Sequence, residues 1–136
     1  MRFMNALWIA GALALGFSFA APLSAHHSMA GFDRKNPITL TGTVKTFSWQ
    51  NPHCYIEIDA AGKDGGVKTW NVEMTAPGYL ARAGWKKNVV QAGDKVTIVA
   101  APLISGEPGA LFVSLTLADG TTLTERSITP AAAKVK

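Results

Sequence analysis

The run Ile38-Thr39-Leu40-Thr41-Gly42-Thr43-Val44 sets the tightest limit on what this chain can fold into. Apolar and polar residues alternate with a period of two, and Ile, Val and Thr dominate. Such a run places an apolar face on a strand and no stripe on a helix. The phase slips after Lys45, because Phe47 and Trp49 are the next large apolar residues. That slip predicts a bulge near Thr46, and Gly42 suits a sharply curved strand.

The same alternation recurs. Cys54, Ile56 and Ile58 alternate with His53, Tyr55, Glu57 and Asp59; Trp70, Val72 and Met74 alternate with Thr69, Asn71 and Glu73. The intervening AAGKDGG, residues 60–66, reads as a turn. Thr75 as cap, Pro77 in the first turn and Gly84 as stop predict a short helix, with Leu80 and either Tyr79 or Ala83 facing inward. Val96, Ile98 and Ala100 form one later strand pattern; Leu111, Val113, Leu115 and Leu117 form another. Asp119-Gly120 is a hairpin signal leading into Thr121 to Glu125. This order predicts an all-β fold with one short helix: a small OB-like antiparallel β-barrel over residues 38–128, with an open β-sandwich as the alternative. The expected core is Ile38, Leu40, Val44, Ile56, Ile58, Trp70, Val72, Val96, Ile98, Val113 and Leu115.

The first 25 residues have a different character. They hold 18 hydrophobic residues and one charge, Arg2. An apolar run from Ala6 to Ala21 and a small-residue junction at Ser24-Ala25 are the layout of a secretory signal peptide. The run is shorter than the roughly 20 residues that span a bilayer. The expectation is a signal over 1–25, cleaved after Ala25 with Ala21 and Ser24 as alternative sites, and a periplasmic protein without a stable membrane anchor. Residues 26–37 form an N-terminal segment and 129–136 a flexible tail. At 136 residues the chain has room for one domain.

The lone cysteine, Cys54, cannot close an intramolecular disulfide and reads as a buried structural thiol. The net charge of +4 is scattered, with no basic run longer than Lys86-Lys87, which argues against nucleic acid. No Ser/His/Asp grouping, Gly-rich phosphate loop or pair of acids with a matching base stands out, so an enzyme is not expected.

Several words in the sequence are distinctive as a set: His26-His27-Ser28, Thr41-Gly42-Thr43-Val44, Trp49-Gln50-Asn51-Pro52-His53, Trp70-Asn71-Val72-Glu73, Ala83-Gly84-Trp85 and Ala92-Gly93-Asp94-Lys95-Val96. The chain resembles a family of small exported bacterial proteins of unknown function over nearly all of its length after the signal. That resemblance implies export and a single β-rich domain. It implies no activity, so function has to be argued from residues.

All three histidines lie in these motifs. Cleavage after Ala25 gives His26 a free amine beside its imidazole, with His27 and His53 as further nitrogen donors. A nitrogen-rich, near-planar set that includes a terminal amine points to Cu(II) or Ni(II), and copper leads the divalent affinity order. A 60–66 turn centred on Lys63 places His53 directly opposite Glu73, where a carboxylate would hold and orient the ring of a metal-bound histidine. The alternative is a metal-free module that uses Trp49 and Tyr55 as a face for a small ligand or another periplasmic protein.

Overall fold

Alternating burial along each strand builds one sheet that closes on itself. The structure is a computed structural model that describes residues 29–61 and 65–130. The signal segment, His26, His27 and the end of the tail lie outside the described residues. After a 3-10 turn at Met29–Gly31 the elements are β1 (Ile38–Ser48), β2 (Tyr55–Ala61), β3 (Val67–Glu73), α1 (Pro77–Arg82), β4 (Lys95–Pro102), β5 (Gly109–Leu117), β6 (Thr122–Thr124) and β7 (Ile128–Thr129). β1 pairs with both β2 and β4, β2 with β3, and β4 with β5, all antiparallel. β3 and β5 then pair in parallel through Asn71–Glu73 and Gly109–Leu111. The result is a closed five-stranded β-barrel, with β6 and β7 added beyond β5.

The expected small β-barrel with one short helix is present, and its closing pair alone is parallel. Strand direction cannot alternate at every step around a ring of five, so one neighbouring pair must run parallel. The open-sandwich alternative is excluded by the same closure.

The bulge expected near Thr46 falls at Lys45, the extra residue between the Val44–Ile58 and Thr46–Glu57 pairs. A second bulge corrects the reading of β5. Val99 pairs with Ser114 and Ala100 with Phe112, which leaves Val113 as the extra residue. Val113 is therefore turned outward, 48% exposed, and Phe112 takes its place in the core. Leu40, Val44, Ile56, Ile58, Val72, Val96, Ile98 and Leu115 are buried as expected, while Ile38 and Trp70 are half-buried against them. The short helix forms, but Ala76 rather than Thr75 occupies its N-cap, without a side-chain capping bond. Pro77 opens it, Leu80 is its buried residue, and Tyr79 points to solvent. Trp85 follows Gly84 into the core and ties α1 to β6, its Nε1–H donating to the Thr124 carbonyl at 2.7 Å.

The β2–β3 register also differs from the expectation. Tyr55, not His53, pairs with Glu73, because the last pair before the loop is Ala61–Val67 and the turn centre sits one residue later. A shift of two residues along one strand preserves its faces, so the inward set is unchanged.

Residues 31–33 are not a free segment ahead of the barrel. Ile104 N–H donates to the Gly31 carbonyl at 3.0 Å, and Asp33 N–H donates to the Pro102 carbonyl at 2.8 Å. Phe32 and Leu103 form the antiparallel bridge between them. The N-terminal segment is thus strapped to the end of β4. Asp33 then turns the chain back into β1, accepting from the backbone N–H groups of Lys35 and Asn36 and from the Asn36 side chain.

Gly42 marks the tightest approach between strands. A Cβ there would collide with the Asp59 carbonyl of β2. Because that obstacle is backbone, Gly42→Ala is predicted to destabilise the fold by about 3 kcal/mol, the upper end of overpacking costs. Gly78→Ala meets nothing within 4 Å and should stay within about 0.5 kcal/mol of wild type. Urea unfolding of the two variants is the check.

Candidate functional site

The chain leaves β1 through Trp49 to Pro52 and enters β2 through His53 and Cys54, at one end of the barrel. Two backbone bonds extend the β2–β3 pairing to this point: Cys54 N–H donates to the Thr75 carbonyl at 3.1 Å, and Met74 N–H donates to the Cys54 carbonyl at 2.8 Å. They hold the backbone of His53 beside Met74. The His53 ring then lies with Nδ1 3.0 Å from the Met74 carbonyl and 3.4 Å from Glu73 Oε1. Both neighbours only accept, so Nδ1 carries the proton. In the neutral ring this leaves the lone pair on Nε2, the tautomer in which an imidazole binds a metal. His53 is 39% exposed in its side chain and Glu73 only 12%. The structure therefore brings together the expected His53 and Glu73, by a diagonal contact rather than the direct pairing.

His53 and Glu73 line a cavity of about 220 Å³ whose walls also carry Phe32 and Arg34 of the strap, Phe112 of β5 and Glu125 of the β6–β7 turn. Glu125 is held by Thr75, whose backbone N–H donates to its carboxylate at 2.6 Å. Thr75, expected to cap α1, instead anchors this second carboxylate. Among the described residues no three His, Cys, Asp or Glu side chains are grouped closely enough to hold a metal ion by themselves. His26 and His27, the other two expected donors, lie outside the described residues.

The two aromatic candidates separate. Trp49 packs edge-on against Phe47, ring centroids 5.8 Å apart, on the core side. Tyr55 pairs with Ser48 on the opposite face and lines a polar groove with Ser48, Gln50, Glu57 and Asn71. They do not form one face.

Burial, with a smaller contribution from Glu73, raises the Tyr55 phenol above its ordinary 10.0. Cys54 is fully buried. Burial pushes its thiol above the ordinary 9.0, and the Glu125 charge adds to the rise against an opposing backbone hydrogen bond from Gln50. A thiol held neutral in this way is a packing residue, not a reactive one.

Arg34 and Glu125 were not evident as site residues from sequence. Turn signals locate the β6–β7 turn but not the surface it lands on, and no periodicity marks a strap.

A profile of a family of unknown function, DUF6152, matches residues 15–112. β6, β7 and Glu125 lie beyond that match. No curated protein and no solved structure matches the chain.

A thiol whose folded pKa exceeds its unfolded value contributes fully below the unfolded pKa, and its contribution is lost as pH rises through the folded one. Stability should therefore fall as pH is raised past about 9, and Cys54→Ala should fall less steeply over the same range. Urea midpoints of both proteins between pH 8 and 10.5 measure the difference; parallel curves would contradict it.

Proposed function

The chain belongs to this family of unknown function, and from its own residues we propose that it is an exported, periplasmic metal-binding protein rather than an enzyme. In this reading residues 1–25 are removed on export. Cu(II) is then held by the His26 amine and imidazole, by His27, and by Nε2 of His53. Glu73 and the Met74 carbonyl keep the His53 ring in its metal-binding tautomer.

One observation carries this reading: the strap that leads back to the terminal histidines lines the same cavity as His53. Gly31 is fixed to Ile104, and His27 stands four residues before it. Met29–Gly31 is coiled in the 3-10 turn, so His27 lies nearer to Gly31 than the roughly 13 Å that four extended residues would span. The search volume of the terminal histidines is accordingly small, and much of the ordering cost of bringing them to His53 is met by folding. Copper fits the donors better than harder cations do, since imidazole and amine nitrogens in a near-planar set favour Cu(II) and it heads the divalent affinity order. The metal-free module is the weaker reading, because Trp49 packs into the rim and leaves Tyr55 as the only aromatic of that pair facing the groove.

Calorimetry on the chain beginning at His26 provides the test. One Cu(II) per molecule is expected. His53→Ala should weaken binding more than tenfold, which is about 1.4 kcal/mol, and His26→Ala should weaken it further. The peptide spanning 26–36 should bind more weakly than the whole protein. Equal affinities for protein, His53→Ala and peptide would show that the barrel adds nothing.

A further inference from the structure

We propose that the cavity at the barrel mouth is also a site for a small zwitterion, a free amino acid with an apolar side chain. The inference goes beyond metal binding and uses neither His26 nor His27.

The cavity presents charges of both signs. Arg34 enters from the strap, and Glu73 and Glu125 enter from the barrel. These charges do not neutralise one another: the ion pairs among the described residues are Lys45–Asp59 and His53–Glu73. Among the described residues, Glu73, mostly buried, has the His53 imidazole as its ion-pair partner. Glu125 accepts from a backbone N–H, which leaves its charge in place. The two neighbouring acids register the same field, since Glu73 contributes to the rise of Tyr55 and Glu125 to that of Cys54.

The partly buried carboxylates Glu73 and Glu125, next to apolar walls, interact more strongly with a counter-charge than they would in open water. A simple cation satisfies the carboxylates but leaves Arg34 unused. A simple anion satisfies Arg34 but faces two carboxylates. A zwitterion answers both, with its ammonium toward Glu73 and Glu125 and its carboxylate on the guanidinium, where two parallel hydrogen bonds are available. Phe32, Leu111 and Phe112 supply the apolar wall for a side chain. The volume, about 220 Å³, lies below the roughly 300–1,000 Å³ of drug-sized pockets, so the ligand is a small molecule and not a peptide or polymer. The strap lines one side of the cavity through Phe32, which bridges to Leu103.

The test is calorimetry in excess EDTA with the chain beginning at His26, using L-leucine, leucinamide and N-acetyl-leucine as probes. Leucine should bind, and each capped analogue, lacking one charge, should bind at least tenfold more weakly. Arg34 is exposed, so Arg34→Gln should fold normally; it should weaken leucine at least tenfold and leave leucinamide unchanged. Glu125→Gln, which keeps an oxygen for the Thr75 N–H, should weaken leucine and leucinamide alike. Equal binding of leucine and leucinamide would make this a site for cations only and overturn the proposal. So would an Arg34→Gln variant with wild-type leucine affinity, or no binding of leucine at millimolar concentration. With metal chelated, failure here leaves the copper reading intact, and failure of copper binding leaves this one intact.

Discussion

The three-residue parallel pairing of β3 with β5 is the contact on which the rest of this molecule depends. Without it the five strands form an open sheet whose apolar face has nothing to pack against, and both edges offer free backbone groups. With it, Leu40, Ile56, Val72, Ile98 and Leu115 converge on one interior. Closure also decides where the chemistry sits. The pairing ends at Glu73 and Leu111, at the end of the barrel where the chain enters β2 through His53. The Cys54 backbone bonds to Met74 and Thr75 continue the ladder past that point, so the position of His53 follows from the sheet rather than from a flexible loop.

Two pieces outside the barrel finish the mouth. The strap reaches it from the N-terminal side through one bridge to Leu103. The β6–β7 turn reaches it from the C-terminal side, because Trp85 fixes Thr124 and Thr75 fixes Glu125. Neither piece belongs to the five-stranded ring, yet each adds a charged group to the cavity. A rigid scaffold thereby carries its polar groups on segments that can vary without disturbing the core.

Much of the fold was legible because period-two patterns are physical demands of a half-buried strand. Ile38 to Val44, Cys54 to Ile58 and Trp70 to Met74 could be read directly, as could the bulge beside Thr46, where two apolar phases collide. Val113 was misread for an instructive reason. It sits among apolar residues, so the bulge that turns it outward changes no visible pattern. The direction of the closing pair was also hidden, since alternation along one strand does not encode its neighbour's direction. At the site, His53 and Glu73 could be brought together from sequence because an error of two residues in register keeps side chains on their own faces. Arg34 and Glu125 could not, because their positions depend on two long-range anchors, Leu103 and Thr75.

Metal binding in this account is a division of labour. The barrel contributes one imidazole whose proton and orientation are fixed by the Met74 carbonyl and Glu73. In the proposed reading the N-terminal segment contributes the remaining nitrogen donors, His26 and His27. Pulsed electron paramagnetic resonance of the protein loaded with one equivalent of Cu(II) tests this most directly, because modulation from the remote ring nitrogen counts the imidazoles on the metal. His53→Ala is expected to remove one imidazole from the wild-type count. An unchanged count would place the copper on the terminal segment without the barrel and contradict the account.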